Sequence, residues 1–141
     1  MTSGKLILDQ LASQFYPSAI VGGEVYKIGE LAEEFDVSLR TLRFYEDFGL
    51  ISPERTGNKR LYSSEDKLRL KLILFVKNIG FSLQDIKEIL TFYDSCNNSI
   101  IDFIIEKMKL QQAIIVKQKS DLDHTMDTIS SALQFLSITE D

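Results

Sequence analysis

Cysteine and histidine occur once each, as Cys96 and His124, in a chain of 141 residues. That scarcity excludes an intrachain disulfide, and it removes the thiolates and imidazoles that a typical structural zinc site draws on. No metal or cofactor is expected. A lone thiol suits a reducing compartment, so the expectation is a cytoplasmic protein. Long apolar runs are also missing: the LIL stretch near the start is closed by Asp9 and Gln10, far short of the ~20 residues of a membrane span or of a secretory signal's apolar region. No membrane partner is expected. There is no phosphate-cradling glycine loop, and only Asp and Glu remain for acid–base work, with no pair placed suggestively. The chain is therefore not expected to be an enzyme.

What is present is a chain 44% hydrophobic with two prolines, enough for one modest core or a small domain with an appendage. The formal net charge is −5 and the pI about 4.9, which argues against a protein that coats nucleic acid through bulk charge. The charge is unevenly spread. Residues 98–141 hold four Lys against seven Asp or Glu, while arginines gather between residues 40 and 60.

Residues 1–24 form an extension, with Leu8, Leu11 and Phe15 at helical spacing, then Pro17 and Gly22-Gly23 as linker signals. From Val25 the pattern sharpens. Ile28, Leu31, Ala32 and Phe35 predict a helix over about 28–35; Asp36-Val37-Ser38 predicts a tight turn, Ser38 an N-cap, and 39–48 a second helix ended by Gly49. Two short helices so joined predict a helix-turn-helix. Pro53 and Gly57-Asn58 then punctuate Leu50-Ile51 and Arg60-Leu61-Tyr62, read as the strands of a hairpin with Arg55, Lys59 and Arg60 around its tip. Leu68, Leu72, Phe75 and Val76 mark the next helix, ended by Gly80; Ser82 with Asp85 caps another, carrying Ile86, Ile89 and Leu90 inward. Residues 93–97 are a junction and 138–141 a tail.

Between them, residues 98–137 contain neither Gly nor Pro. Ile101, Met108, Ile115, Leu122, Ile129 and Leu136 recur every seventh residue, with Ile105, Met126 and Leu133 in a companion row that Gln112 and Lys119 interrupt. Such a helix would span roughly 60 Å at 1.5 Å per residue. Its stripe needs a partner helix, most simply from a second copy of the chain, so a homodimer is expected. Folding back as a monomeric helical hairpin is the alternative, although no breaker residue marks a turn.

The stretch VSLRTLRFYEDFGL concentrates the chemistry. On a helical wheel Arg40, Arg43, Phe44 and Asp47 share one side, while Leu39, Leu42 and Tyr45 lie roughly opposite, ready to close a core with Leu31 and Phe35. Exposed arginines on such a helix can bond guanine edges or clamp phosphates. They could equally be ordinary solvated charges, with Glu46 and Asp47 as intrahelical partners of Arg43.

The run from Tyr26 to Leu90 resembles the DNA-binding domain of the MerR family of bacterial transcription regulators. The marks are I-G-E-L-A at 28–32, T-L-R-F-Y-E at 41–46, G-L-I-S-P at 49–53, R-L-Y-S-x-E-D at 60–66 and G-F-S-L-x-x-I-K-E-I-L at 80–90. The resemblance covers about 25–92. It implies a mainly α chain: a winged helix-turn-helix DNA-binding domain, joined into a homodimer by an antiparallel coiled coil of the long C-terminal helices. It further implies binding to double-stranded, pseudo-palindromic promoter DNA with a long spacer, bent and untwisted to realign the elements read by RNA polymerase, at a cost set by DNA stiffness.

By that resemblance Arg40, Thr41 and Arg43 enter or line the major groove, Tyr45, Arg60 and Tyr62 support or contact phosphates, and Lys27, Ser38, Phe44, Arg55 and Lys59 complete the DNA face. Phe44 lies on the exposed side of the wheel or packs beneath the wing. Asn58-Lys59 stand where many relatives have Gly-Tyr. The run K-L-I-L-x-x-K-x-x-G-F-S-L at 71–83, with L-x-x-Y-D after it, is similar to a subgroup tied to branched-chain amino-acid and acyl-CoA catabolism. Paired metal-sensing cysteines are missing, and Cys96 falls in the junction. With the sequence ending at Asp141, no large C-terminal drug-binding domain is expected; any effector would sit in the dimer cleft or near the coiled-coil ends. A dimeric coiled-coil adaptor is the competing reading, and it leaves the basic hairpin unexplained.

Overall fold

The computed structural model describes residues 3–17 and 24–139; the Gly22-Gly23 linker signal lies outside them. Two units divide the chain, one running to Ile104 and the other beginning at Ile105. In order, the elements are α1 (Gly4–Phe15), β1 (Val25–Lys27), α2 (Ile28–Glu34), α3 (Leu39–Asp47), β2 (Glu54–Thr56), β3 (Lys59–Ser63), α4 (Ser64–Asn78), α5 (Leu83–Asp94) and α6 (Ile100–Thr139).

Side-chain caps set several helix starts. Ser3 accepts from the Leu6 amide at 3.2 Å, and Ser38 from the Thr41 amide at 3.0 Å. Ser63 with Asp66, and Ser82 with Asp85, form reciprocal capping boxes, each satisfying two amides that the first helical turn leaves without carbonyl partners. The α2–α3 turn needs a left-handed residue, and Asp36 supplies it at φ 52°. At the other end of α3, Gly49 takes φ 85°, which brings the Leu50 amide back to the Tyr45 carbonyl at 2.9 Å. That six-to-one bond ends the helix and turns the chain toward the sheet.

The sheet is antiparallel in the order β1-β3-β2, with Tyr26 opposite Tyr62 and Thr56 opposite Lys59. The hairpin differs from the sequence expectation. Leu50 and Ile51 are buried core residues, and pairing begins only at Glu54, after Pro53, which has no amide hydrogen to give to a ladder. β1 was not foreseen, since three residues carry no periodicity.

Helix α4 forms the centre of this unit. Leu70 through Val76 are all buried, and so are Lys67 and Lys71, because α1, α5 and β3 all pack against it. Leu68, expected inward, is only half-buried. Lys67 is stabilised by Glu34 at 2.9 Å and by the Tyr26 ring at 4.4 Å. Burial, with Lys67 nearby, holds the Lys71 ammonium below the usual lysine range.

The second unit is the remainder of α6, which extends two residues past the expected 137. Ile105, Ile115, Leu122, Met126, Ile129, Leu133 and Leu136 are exposed along it; Ile101, in the first unit, and Met108 are half-buried.

Candidate nucleic-acid interface

Helix α3 presents what the wheel placed outward. Arg40 and Arg43 are exposed and Leu42 and Tyr45 buried. Leu39 departs from the expected inward set: it sits in the first turn at the edge of the packed face and stays 39% exposed. Phe44 is 46% exposed and stacks on Phe48 at 5.9 Å, on the exposed side of the helix and not beneath the wing.

Glu46 does not make the intrahelical pair of the solvated-charge alternative. It reaches the wing instead, accepting from Arg60 Nε at 2.6 Å and from Arg55. Burial pushes the Glu46 carboxyl upward, but hydrogen bonds from Arg55 and Arg60 outweigh it and hold the group below the usual carboxylate range. A helix carboxylate therefore fastens the wing to the helix, and the two wing arginines are already engaged.

A groove of about 610 Å³ runs between the start of α2, the outer side of α3 and the wing tip, lined by Lys27, Gly29, Glu30, Arg43, Lys59 and Arg60 among others. Arg40, Thr41 and Phe44 instead line a smaller hollow of about 290 Å³ beside Lys77 and Leu83. The α3 cations thus divide, Arg43 toward the wing and Arg40 toward the α4–α5 turn. Thr41 also contacts the Ser38 hydroxyl at 2.9 Å, so Ser38 both caps the helix and holds the Thr41 side chain.

Tyr45 and Tyr62 are buried, so of the two roles expected for them the burial fits support and not phosphate contact. Among the described residues the Tyr62 hydroxyl has no hydrogen-bond partner. Burial first, and the Glu46 charge second, push it up to about 12.

Sequence reading missed two cations. Lys77 was legible as the last basic residue before Gly80. Arg69 was not: it donates to the Leu50 carbonyl at 2.6 Å and binds Asp94 with both terminal nitrogens. Arg69 thereby joins the loop after α3 to the end of α5, a contact between distant segments. Among the described residues no cluster of His, Cys, Asp and Glu could hold a metal ion, and no helix is long and apolar enough to cross a membrane.

Comparison with known proteins bears on this geometry. Residues 26–92 match the family model described as MerR HTH family regulatory protein, and residues 68–132 match one described as MerR, DNA binding. The chain is 38% identical over 90 residues to the mercuric resistance operon regulatory protein of Bacillus cereus, covering 60% of this chain and 67% of that one. It is similar to the crystal structure of MtaN, the N-terminus of the Bacillus subtilis multidrug transporter activator, at 36% identity and TM-score 0.62, covering 77% of this chain and 97% of that one. It is also similar to HiNmlR, a MerR family regulator lacking the sensor domain and bound to promoter DNA, at 28% identity and TM-score 0.55, covering 74% and 80%. The chain spans about half the length of the first curated relatives it matches. Motif order, the helix-turn-helix with its wing, and these matches converge: the chain belongs to the MerR family of helix-turn-helix regulatory proteins.

Proposed function

We propose that the chain is a sequence-specific, non-enzymatic transcription regulator that reads double-stranded promoter DNA in the cytoplasm as a homodimer. One observation carries this reading furthest. Arg43 lines a groove with Lys27 and Lys59, while Glu46, one turn along the same helix, ties the wing down. Helix and wing thus join in one surface where Lys27, Arg43, Lys59 and Arg60 outnumber Glu30 and Glu33, in a chain whose net charge is negative. Arg40, Thr41 and Arg43 read bases or adjoining phosphates; Lys27, Lys59 and Lys77 meet the backbone. Arg55, Arg60, Tyr45 and Tyr62 shape the head that presents them.

Dimerisation uses Ile101, Ile105, Met108, Ile115, Leu122, Met126, Ile129, Leu133 and Leu136 in an antiparallel coiled coil. What supports it is the apolar row exposed along α6, since monomers rarely leave so long an apolar row in water. Promoter bending and contact with RNA polymerase belong to the same reading; the promoter-bound relative supports its DNA-binding part. Control of a catabolic operon rests only on the 71–83 run and the L-x-x-Y-D after it. The adaptor alternative leaves Arg40, Arg43 and the wing without a role.

The test is binding to fragments upstream of the protein's own gene and of neighbouring operons, across a salt series, with wild type and Arg43→Ala. Site-selective binding that weakens steeply with salt and is lost in the variant is expected. Equal behaviour of the two proteins, with no preferred fragment, would refute the reading and favour the adaptor.

A further inference from the structure

Helix α1 takes no part in the cationic groove, and it precedes the family match, which begins at residue 26. It is nonetheless firmly seated. Leu8 and Ala12 are buried, Phe15 stacks on Phe75 at 4.9 Å, and the Tyr16 ring meets the edge of Phe35 at 6.0 Å. The Tyr16 hydroxyl donates to the Leu74 carbonyl at 3.4 Å and accepts from Asn78. These contacts fasten the C-terminal end of α1 to α4 and to the helix-turn-helix.

The other end of α1 grips the bend between α5 and α6. Tyr93, near the end of α5, donates to Asp9 Oδ1 at 2.6 Å, and Lys5 Nζ lies 4.8 Å over the Tyr93 ring. Gly4 is buried so close to the start of α6 that a Cβ there would fall 2.6 Å from Ile100 Cγ2. Ile100 is itself buried, and its Cγ2 hangs on a branched carbon that cannot swing clear. Across the same bend Phe92 packs on Phe103 at 4.7 Å, and Asp94 holds Arg69, which bonds the loop after α3. One helix therefore spans from the helix-turn-helix to the root of α6, within the first unit.

We propose that α1 is a positioning clasp: it locks the α5–α6 bend so that the root of α6 keeps one attachment to the DNA-reading head. The inference rests on the dimeric DNA-binding reading above. A dimer gains from engaging two half-sites only when its geometry matches their spacing. A locked bend makes that match stringent, and a loosened one lets the two heads adapt. Gly4, Asp9 and Tyr93 are positioning residues, outside the groove that carries Arg43.

The experiment compares full-length wild type, Gly4→Val, and the volume-keeping Tyr93→Phe on the operator found by footprinting. Each is titrated against that operator, an isolated half-site, and operators whose half-site spacing is changed by half a helical turn, about 5 bp. Wild type should lose about 100-fold in affinity on the altered spacing. The variants should lose less than about tenfold while keeping half-site affinity within about twofold. Circular dichroism checks that Gly4→Val folds; if it does not, Tyr93→Phe decides alone. Folded variants as spacing-selective as wild type overturn the clasp and leave the regulator reading standing. Absence of any selective binding by wild type overturns the regulator reading, and the clasp with it.

Discussion

Replacing Glu46 with alanine removes the carboxylate that joins α3 to the wing, and the structure allows the loss to be divided between its two partners. Arg60 meets Glu46 at 2.6 Å with the side chains 22% and 12% exposed. A charge-assisted hydrogen bond shielded to that degree contributes about 1.5–3 kcal/mol, with the lower end favoured because Arg60 keeps some water. Arg55 is 57% exposed, so its pair is screened and worth about 0.5 kcal/mol or less. Glu46→Ala should therefore lower the unfolding free energy by about 2 kcal/mol in urea titration. Double-mutant cycles separate the terms: coupling of Glu46 to Arg60 should be about 1.5 kcal/mol, and to Arg55 at most about a third of that. The carboxyl is held below its ordinary range in the folded protein. Its stabilisation is thus complete above the unfolded value, about 4.3, and is lost as pH falls through the lower folded value. The cycle repeated at pH values spanning that window should show the Arg60 coupling vanish on the acid side. Equal coupling to both arginines, or an Arg60 coupling near zero at neutral pH, would refute the account of the wing as clamped from helix α3.

Gly49→Ala should destabilise by about 1 kcal/mol, a purely backbone cost, because nothing stands within 4 Å of the new Cβ and only the φ of 85° resists it; urea titration reads it. Lys59→Ala, at the exposed wing tip, should weaken binding to all fragments alike and reduce the salt slope by about one ion, measurable by fluorescence anisotropy across salt. A base-specific loss would instead make Lys59 a reader. Leu122→Asp, on a residue 66% exposed, should leave circular dichroism near wild type while shifting sedimentation from dimer to monomer. An unchanged sedimentation coefficient would remove Leu122 from the seam.

The local punctuation was legible residue by residue. Ser38 and Ser82 announced their helices, and Gly49 and Gly80 the ends of theirs, because capping chemistry acts within three or four positions along the chain. Arg40 and Arg43 were assigned outward from angular spacing alone, and the structure leaves both exposed. The wheel erred at Leu39, since a wheel knows the angle of a side chain but not where the packed face ends. The hairpin's first strand was misplaced for a related reason: Leu50-Ile51 carries strand-like residues, and the same residues serve equally as core plugs.

What the sequence by itself determined is therefore what depends on neighbours in the chain: the helix-turn-helix, the turn residues, the long uninterrupted α6 with its seven-residue apolar row, and the motifs that place the chain in its family. What only the tertiary structure decided depends on residues far apart in sequence. It chose Arg55 and Arg60 as partners of Glu46, paired β1 with β3, made Arg69 a link from Leu50 to Asp94, and seated α1 on Tyr93 and Ile100. Periodicity reports which side of an element faces inward, yet it carries no information about which distant element arrives there. That choice is made by packing, when many possible partners compete for one buried surface and a single arrangement fills it.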